Sequence, residues 1–232
     1  MNEHETVVIS VGGSLIVPDQ IDTTFLSNLK ALIVREADSS TSRRFIIICG
    51  GGKTARRYQD AASAVSTLIP DDLDWLGIHS TRLNGHLVRT IFREIAYPKM
   101  IENPDDILDV PSDATLVVAA GYRPGASTDL RAIQIADRVG AKKVINLSNI
   151  DYVYTDDPQK NPKAEKIETI SWSDFRTLIP PEWDPGLSSP FDPIAAREAE
   201  RLDIEVAVIN GAHLAELENY LENRPFVGTK IS

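Results

Sequence analysis

Apolar residues in this chain form short continuous runs, and these runs alternate with longer stretches that mix polar and apolar positions. A run that is apolar at every position is typical of a strand in a parallel sheet, because helices cover both faces of such a sheet. The runs predict five strands, at 7–11, 45–49, 115–120, 144–147 and 205–209.

The mixed stretches repeat their apolar residues every three or four positions, which is the period of an amphipathic helix. They predict helices at 22–36, 53–64, 128–139, 192–202 and 213–221. A further long helix, ended by Pro98, is predicted from a stripe of Leu76, Leu83, Leu87, Ile91 and Ile95. Together the elements predict an α/β fold, a three-layer αβα sandwich with a mostly parallel central sheet, in one domain spanning 1–232.

Composition narrows the class of protein. Of the 232 residues, 42% are hydrophobic and 25% are charged, which is typical of a globular fold. The apolar runs are too short to span a membrane, and the polar, acidic start at 1–5 lacks the features of a secretory signal. A single cysteine, Cys49, excludes an internal disulfide and favours a cytoplasmic setting. The net charge of -10 disfavours nucleic acid as a partner, because the surface would repel a phosphate backbone.

Two segments rich in proline, aspartate and asparagine, 156–162 and 180–190, are predicted to be loops. The second has two interpretations, a mobile flap or a surface excursion. The four histidines, at 4, 79, 86 and 213, show no metal-like grouping, and no G-x-S-x-G motif is present. Metal-centred and serine-hydrolase chemistry are therefore not indicated.

Three glycine-bearing segments each follow a predicted strand and precede a helix, at 12–14, 50–53 and 121–125. In a parallel sheet these positions lie at the carboxyl ends of the strands, where open α/β folds bind ligands. Glycine lets the backbone approach a phosphate, and the start of a helix supplies free N–H groups. One such segment is often only a tight turn, but three at the same topological position favour a phosphate site.

The second segment resembles a P-loop only in part, because that motif requires a glycine where this chain has Ile47, and the pattern G-x-G-x-x-G is also absent. Its helix begins with Lys53, Arg56 and Arg57, which share one face. A basic face is often merely solvated. Beside three glycines in an acidic protein, phosphate binding is the better interpretation, with Arg56 able to contact two oxygens.

Six segments, in chain order, resemble the amino-acid-kinase superfamily and, within it, the archaeal-type uridylate-kinase branch. The stretch that separates this branch from relatives acting on amino acids is Asp-x-x-Gly-Ile-x-x-Thr-Arg-Leu-Asn at 74–84. The other five are Val-Gly-Gly-Ser at 11–14, Gly-Gly-Gly-Lys-x-Ala-Arg at 50–56, Pro-Gly-x-Ser-Thr-Asp at 124–129, Asn-x-Asp-x-Val-Tyr-Thr-x-Asp-Pro-x-Lys at 149–160 and Asp-Pro-x-Ala-Ala at 192–196.

The resemblance implies a kinase that moves the γ-phosphoryl group of ATP to UMP, with Mg²⁺ held mainly by the ATP phosphates. It implies a UMP-binding lobe at 1–140, an ATP-binding lobe at 141–232, and a homo-oligomer built from dimers, up to a hexamer. The implied catalytic residues are Gly13, Lys53, Asp129, Asp151 and Arg197. The implied UMP-binding residues are Gly51, Arg56, Asp74, Gly121, Tyr122, Arg123, Pro124, Gly125, Ala126, Ser127 and Thr128. The implied ATP-binding residues are Gly12, Gly13, Ser14, Gly52, Ser148, Asn149, Tyr154, Asp157 and Lys160.

Some of these residues have ordinary structural alternatives. Asp74 could cap the long helix, and Asp157, before a proline, could start a turn. In the implied chemistry Asp74 accepts hydrogen bonds from the ribose, while Asp129 and Asp151 organise magnesium or the cationic groups.

Three positions depart from the family pattern: Ser10 and Arg197 stand where many members carry lysine, and Tyr152 replaces a usual glycine. Phosphoryl transfer depends on positive charge around the moving group, so these departures leave two other functions open. One is a family kinase with a different small acceptor. The other is a catalytically weak nucleotide-binding or regulatory protein.

Overall fold

The computed structural model describes residues 5–39, 43–182 and 189–232. Outside them lie the acidic start with His4 and the middle of the predicted loop at 180–190. A seven-stranded sheet contains β1 (Thr6–Val11), β2 (Arg44–Cys49), β3 (Leu116–Ala119), β4 (Lys143–Ser148), β7 (Thr169–Ile170), β8 (Glu205–Asn210) and β9 (Thr229–Ile231). A separate hairpin pairs β5 (Val153–Tyr154) with β6 (Lys166–Ile167).

The strand order in the large sheet is β3-β2-β1-β4-β8-β9-β7. The first five strands in this order pair in parallel, β9 runs antiparallel to β8, and β7 is parallel to β9. The predicted, mostly parallel sheet is therefore confirmed. Because parallel neighbours point the same way, the turns after β1, β2, β3, β4 and β8 all emerge at one edge.

Eight α-helices and one 3-10 helix, at Pro104–Asp109, connect the strands in the described part of the chain. Asp22, Ser127 and Asp192 each accept a hydrogen bond from the amide three residues on, which fixes where three of these helices begin. The helices are α1 (Gly13–Ile16), α2 (Thr23–Ala37), α3 (Gly52–Val65), α4 (Pro70–Ile91), α5 (Thr128–Val139), α6 (Trp172–Leu178), α7 (Pro193–Leu202) and α8 (Leu214–Leu221).

The sheet has an apolar core on each face, which confirms the three-layer architecture. Even-numbered β1 and β2 residues such as Val8 and Ile46 pack with α5, α6 and α7 on one side. Odd-numbered residues such as Ile9 and Ile47 pack with α2, α4 and α8 on the other. Each fully buried side chain of this size contributes roughly 1.5–3 kcal/mol. No helix in the described ranges is long and apolar enough to cross a membrane.

The predicted end of the long helix is wrong. Helix α4 ends at Ile91, so Ile95 does not continue its stripe and Pro98 does not end it. After Ile91 the chain makes a turn, in which the amide of Ala96 bonds to the carbonyl of Phe92 at 2.8 Å. It then runs beside β3, where the next amide, at Tyr97, bonds to a strand carbonyl at 2.7 Å. Pairing with the sheet edge therefore replaces the last helical turn.

Candidate functional site: the glycine turns at the strand ends

The turns after β1 and β2 touch backbone to backbone. A Cβ added to Gly13 would lie 2.0 Å from the nitrogen of Gly52, and one added to Gly50 would lie 2.4 Å from the nitrogen of Gly13. Gly52 also has a φ of 62°, which side chains rarely adopt. These three glycines are thus required by contact and by conformation, and they bring the two turns into one surface.

Free backbone donors collect at this contact. Within the described residues, the amides of Gly13, Ser14, Gly51 and Gly52 donate no hydrogen bond to the protein. They stand at the starts of α1 and α3, where helix geometry leaves N–H groups unpaired. Gly12, in contrast, uses its amide to bond the carbonyl of Leu147 at 2.8 Å, which ties the first turn to β4. The cluster of free donors is the strongest anion-binding feature of the strand-end edge.

Helix α4 holds the second turn in place through Asn84. This buried side chain donates from Nδ2 to the carbonyl of Gly50 at 2.8 Å and to that of Gly51 at 3.2 Å. With both carbonyls engaged from behind, the free amides of the turn are held on the other side. Asn84 belongs to the Thr-Arg-Leu-Asn segment of the diagnostic stretch, but sequence reasoning gave it no role.

The same segment holds the loop after β3. The hydroxyl of Thr81 accepts from the amide of Gly121 at 2.8 Å. Arg82 donates to the carbonyl of Gly121 at 3.1 Å and to that of Tyr122 at 2.8 Å, and it also pairs with Glu102 at 3.0 Å. A single turn of α4 therefore fixes two of the three glycine-bearing loops relative to each other.

Asp74 connects α4 to the far end of that loop. Its Oδ2 accepts from the amide of Gly125 at 2.9 Å, and Gly125 has a φ of 81°. Because α4 begins at Pro70, Asp74 lies inside the helix and does not cap it. Its other oxygen has no partner among the described residues, so it remains available to a ligand hydroxyl. The loop then closes through Ser127, whose hydroxyl caps α5 at the amide of Leu130.

The basic start of α3 divides into paired and unpaired cations. Lys53 and Arg57 both contact Asp19, at 3.2 and 2.8 Å, and the hydrogen bond from Lys53 is the main reason that the pKa of Asp19 is lowered. Arg56, which is exposed, has no ion pair within the described ranges. Arg56 is therefore the free cation beside the second turn.

Asp129 lies in the first turn of α5, in a carboxylate pair with Asp192. It accepts a hydrogen bond from the hydroxyl of Ser10 at 3.0 Å. Burial, and then the charge of Asp192, raise the pKa of Asp129 to about 6, against the effect of hydrogen bonds from Ser10 and the Asp192 amide. Burial also raises the pKa of Asp192, which caps α7 through the amide of Ala195 at 2.7 Å. The site thus contains a carboxyl that titrates near neutral pH.

The predicted ATP-binding residues outside the glycine turns lie at the end of β4 and around the hairpin. Asp151 accepts from the side-chain amide of Asn210 at 2.7 Å, and Ser148 accepts at its carbonyl from the amide of Gly211 at 2.8 Å. These bonds join the ends of β4 and β8. Asn149 is exposed between them. Asn210, which sequence reasoning missed, directly follows the strand predicted at 205–209 and is the last residue of β8, a position that could have marked it.

Further along, the hairpin places Tyr154 opposite Lys166. Asp157 accepts from the amide of Gln159 at 2.9 Å and pairs with Lys160 at 3.1 Å. Asp157 therefore starts a turn, which is the structural alternative that its position before a proline indicates. Lys160 is 84% exposed in its side chain, so both residues remain accessible to a ligand.

The predicted catalytic residues are held in place by different partners. Each of the four with a charged side chain contacts a partner outside that set. The pairs are Lys53 with Asp19, Asp129 with Ser10, Asp151 with Asn210, and Arg197 with the carbonyl of Pro181 at 2.7 Å. Only Gly13 lies within the glycine contact itself. The fold therefore brings the glycine turns together, and each charged residue is held by a partner of its own.

Free amides beside an unpaired cation at the strand ends of a parallel sheet are typical of α/β proteins that bind phosphates. The chain belongs to the amino acid kinase family, whose model matches residues 5–210.

Two curated relatives are uridylate kinases from archaeal species. That of Methanospirillum hungatei is 34% identical over 230 residues, covering 98% of this chain and 94% of the relative. That of Hyperthermus butylicus is 34% identical over 206 residues, covering 89% of each. The solved structure of a uridylate kinase from Archaeoglobus fulgidus superimposes with a TM-score of 0.79 at 25% identity, covering 97% of this chain and 99% of that one. The chain therefore matches these proteins along nearly its whole length.

Proposed function

We propose that this protein is an ATP-dependent UMP kinase, which transfers the γ-phosphoryl group of ATP to UMP and yields UDP for pyrimidine nucleotide biosynthesis. The observation that carries the proposal is the contact between Gly13 and Gly52, which joins two strand-end turns whose free amides donate no hydrogen bond within the described residues. Its support from relatives is the full-length similarity to uridylate kinases. Neither alternative function is favoured by a specific feature of the site.

In this proposal UMP binds to the lobe at 1–140 and ATP to the lobe at 141–232. Arg56 and the amide of Gly51 hold the UMP phosphate, and the free oxygen of Asp74 accepts from the ribose. The loop from Gly121 to Thr128 surrounds the uracil, with Tyr122, Arg123, Pro124, Ala126 and Ser127 among its residues. The ATP tail lies on Gly12, Gly13, Ser14 and Gly52, and the rest of ATP lies along Ser148, Asn149, Tyr154, Asp157 and Lys160.

The reaction is a direct in-line transfer. An oxygen of the UMP phosphate attacks the γ-phosphorus, the bond from that phosphorus to the bridging oxygen breaks, and ADP leaves. The attacking oxygen is already anionic, so the step needs no general base and no covalent enzyme intermediate. Catalysis then rests on positioning and on donors aimed at the moving charge. One such preorganised donor is worth about 3–4 kcal/mol of transition-state stabilisation.

Magnesium is the expected cofactor because a divalent cation neutralises charge on the phosphates of ATP. The carboxylates proposed to act at the site are Asp129 and Asp151. Among the described residues, three acidic side chains come close enough to hold an ion only at Glu36, Glu218 and Glu222. That group is paired with arginines near the amino end of β2. This distribution fits an ion held mainly by ATP, with Asp129 and Asp151 organising the surrounding water and cations.

The departures from the family pattern change which groups supply charge. Ser10 carries no charge and donates to Asp129, so positive charge at the transfer point comes from Lys53, Arg56 and Arg123. Arg197 adds its field from the start of α7, where it lowers the pKa of Asp192 as a minor effect. We expect turnover to be slower than in lysine-bearing relatives.

We further infer a homo-oligomer built from dimers, up to a hexamer, in a cytoplasmic setting. Exposed apolar side chains on α3 and α4 support the first inference, among them Tyr58, Trp75 and Leu83. A buried, free Cys49 is compatible with the second.

One assay tests the function. ADP release is measured with Mg-ATP and a panel of UMP, CMP, AMP, acetylglutamate and aspartate. UMP-dependent release is the expected result. Release with an amino acid would replace the proposal by another family kinase, and tight nucleotide binding without release would replace it by a binding protein.

A further inference from the structure

A buried arginine on α5 contacts the loop after β3. Arg131, on α5, is only 4% exposed. Its Nη1 donates to the side chain of Gln134 at 2.6 Å and its Nη2 to the carbonyl of Arg123 at 3.4 Å. Its Nε is buried without a partner, and no carboxylate contacts it in the part of the chain that the structure describes. Arg131 is thus a buried cation without a counter-ion.

An aromatic ring gives this charge a further partner. The guanidinium of Arg131 lies 5.5 Å from the ring centroid of Tyr122, and that of Arg123 lies 5.6 Å from the same centroid. Burial, and then the charge of Arg123, lower the pKa of Arg131. Cation–π attraction offsets only part of the cost of burying an unpaired charge. Arg131 is therefore poorly explained as a stabilising residue.

Apart from the bond to Gln134 within α5, its contacts are to one loop. Arg131 holds the ring of Tyr122 and the carbonyl of Arg123, while Arg82 holds the two preceding carbonyls from α4. The loop is clamped between two helices before any ligand arrives. A loop held in its binding shape loses less conformational freedom on binding, which raises affinity.

We propose that Arg131 is a positioning residue for UMP, which acts through Tyr122 and Arg123 and does not touch the nucleotide. The inference rests on the proposed function of this loop. It predicts that removing Arg131 weakens the binding of UMP but not that of ATP, because the ATP side and the glycine turns are held by other residues. It also predicts that the effect on binding is separate from any effect on stability.

The test is Arg131→Met, which fills similar space without the charge. UMP affinity is measured by calorimetry, KM for UMP and for ATP and kcat by ADP release, and Tm by thermal melting. We expect the Kd and KM for UMP to rise about tenfold, which corresponds to losing one good contact. The KM for ATP and kcat stay within about twofold, and Tm does not fall, since replacing an unpaired buried charge by an apolar group is often neutral or stabilising.

Two further variants sharpen the result. Arg138→Met is the matched control, because Arg138 lies on the same helix but is exposed and paired with Asp105 at 2.8 Å; it should change none of the five quantities. Arg131→Lys keeps the charge but loses the planar fork, so it should restore UMP affinity only in part.

Unchanged UMP affinity in Arg131→Met, or a loss of UMP and ATP affinity together with a lower Tm, would overturn the inference. The first result means that the clamp has no effect, and the second means that Arg131 is structural. A wild-type protein that binds UMP but releases no ADP would instead reject the proposed function, and calorimetry would still decide the role of Arg131.

Discussion

Gly13 has no room for a side chain, and the reason is a contact between two turns far apart in sequence. Its ideal Cβ would overlap the backbone nitrogen of Gly52, which cannot move aside as a flexible side chain would. The cost of such overpacking is typically 1–3 kcal/mol and shifts the backbone locally. At this position the shift would move the free amides proposed to hold phosphate.

Gly13→Ala is therefore expected to lower kcat/KM by more than about a hundredfold and to lower the free energy of unfolding by about 2 kcal/mol. Steady-state kinetics and denaturant unfolding measure the two effects. Gly77→Ala is the matched control, because its Cβ would meet only the end of the flexible Gln59 side chain at 3.4 Å. Inside α4 the control should be neutral or stabilising by up to about 1 kcal/mol. Equal effects of both variants would contradict the role of the Gly13 contact.

Asp129 is expected to make the stability of the folded protein depend on pH. Its pKa rises from an ordinary value of 3.8 to about 6 in the folded protein. A carboxyl with a raised folded pKa favours folding while it is protonated. Its contribution is therefore present at low pH, falls as the pH rises from about 4 to about 6, and is absent above that range.

Asp129→Asn removes this titration while keeping an oxygen that can accept from Ser10. Compared with the wild type, the variant should gain up to about 3 kcal/mol of unfolding free energy between pH 4.5 and pH 7.5. Urea unfolding of nucleotide-free protein in chelator, at several pH values, measures the difference. Parallel stability profiles for the two proteins would show that Asp129 does not titrate in this window.

Among the helices and strands, α4 is the element that positions the loops after β2 and β3. One of its turns carries Thr81, Arg82 and Asn84, which bond the loops after β2 and β3. Because these bonds engage backbone atoms, they fix where the amides of the loops point. The helix thus acts as a clamp, and removing one of these bonds should lower both activity and stability.

Asn84→Ala tests this clamp. Two buried carbonyls lose their donor, which should cost about 1–3 kcal/mol of stability and, by loosening the second turn, about a hundredfold in kcat/KM. Thr90→Ala, on the same helix, removes only a bond to the carbonyl of His86 and should have neither effect. If Asn84→Ala kept full activity while losing stability, the clamp would be only structural.

The elements also show what the sequence could and could not predict. Long periodic segments were predicted within a residue or two, such as α5 at Thr128–Val139, because amphipathic spacing determines them locally. The two-residue strands β5, β6 and β7 were not predicted, because such short runs show no periodic pattern and form only by pairing with another strand. The seven-residue helix α6 was not predicted either, because it is too short to show a clear helical period. The predicted end of α4 was wrong because the chain after Ile91 pairs with β3, a contact that local spacing does not reveal.

The site follows the same division. The three glycine segments were predicted at the strand-end edge, because parallel topology alone puts them there. Partners from distant parts of the chain were not predictable, for example Asn210 for Asp151, or Gly125 for Asp74. Spacing along a sequence does not reveal which buried side chains meet across a fold.

For the whole molecule, exposed apolar side chains raise the question of assembly. Leu83 on α4 is 63% exposed, although it lies on the predicted apolar stripe. No residue of α3 is buried in the described chain, and Tyr58 on that helix is 62% exposed. Apolar groups exposed together are typical of interfaces between proteins.

Leu83→Glu should therefore shift the protein towards monomers, measured by sedimentation velocity at several concentrations. Leu108→Glu is the matched control, since Leu108 is 64% exposed but lies on the 3-10 helix. The control should keep the assembly of the wild type. A wild-type protein that sediments as a monomer would contradict the proposed oligomer.

The claim on which the account depends is that the free amides of two touching glycine turns hold the phosphates of both nucleotides. A crystal structure with UMP, Mg²⁺ and a non-hydrolysable ATP analogue tests it directly. The account predicts phosphate oxygens about 3 Å from the nitrogens of Gly13, Ser14, Gly51 and Gly52. Nucleotides bound elsewhere, with these four amides facing only water, would contradict it.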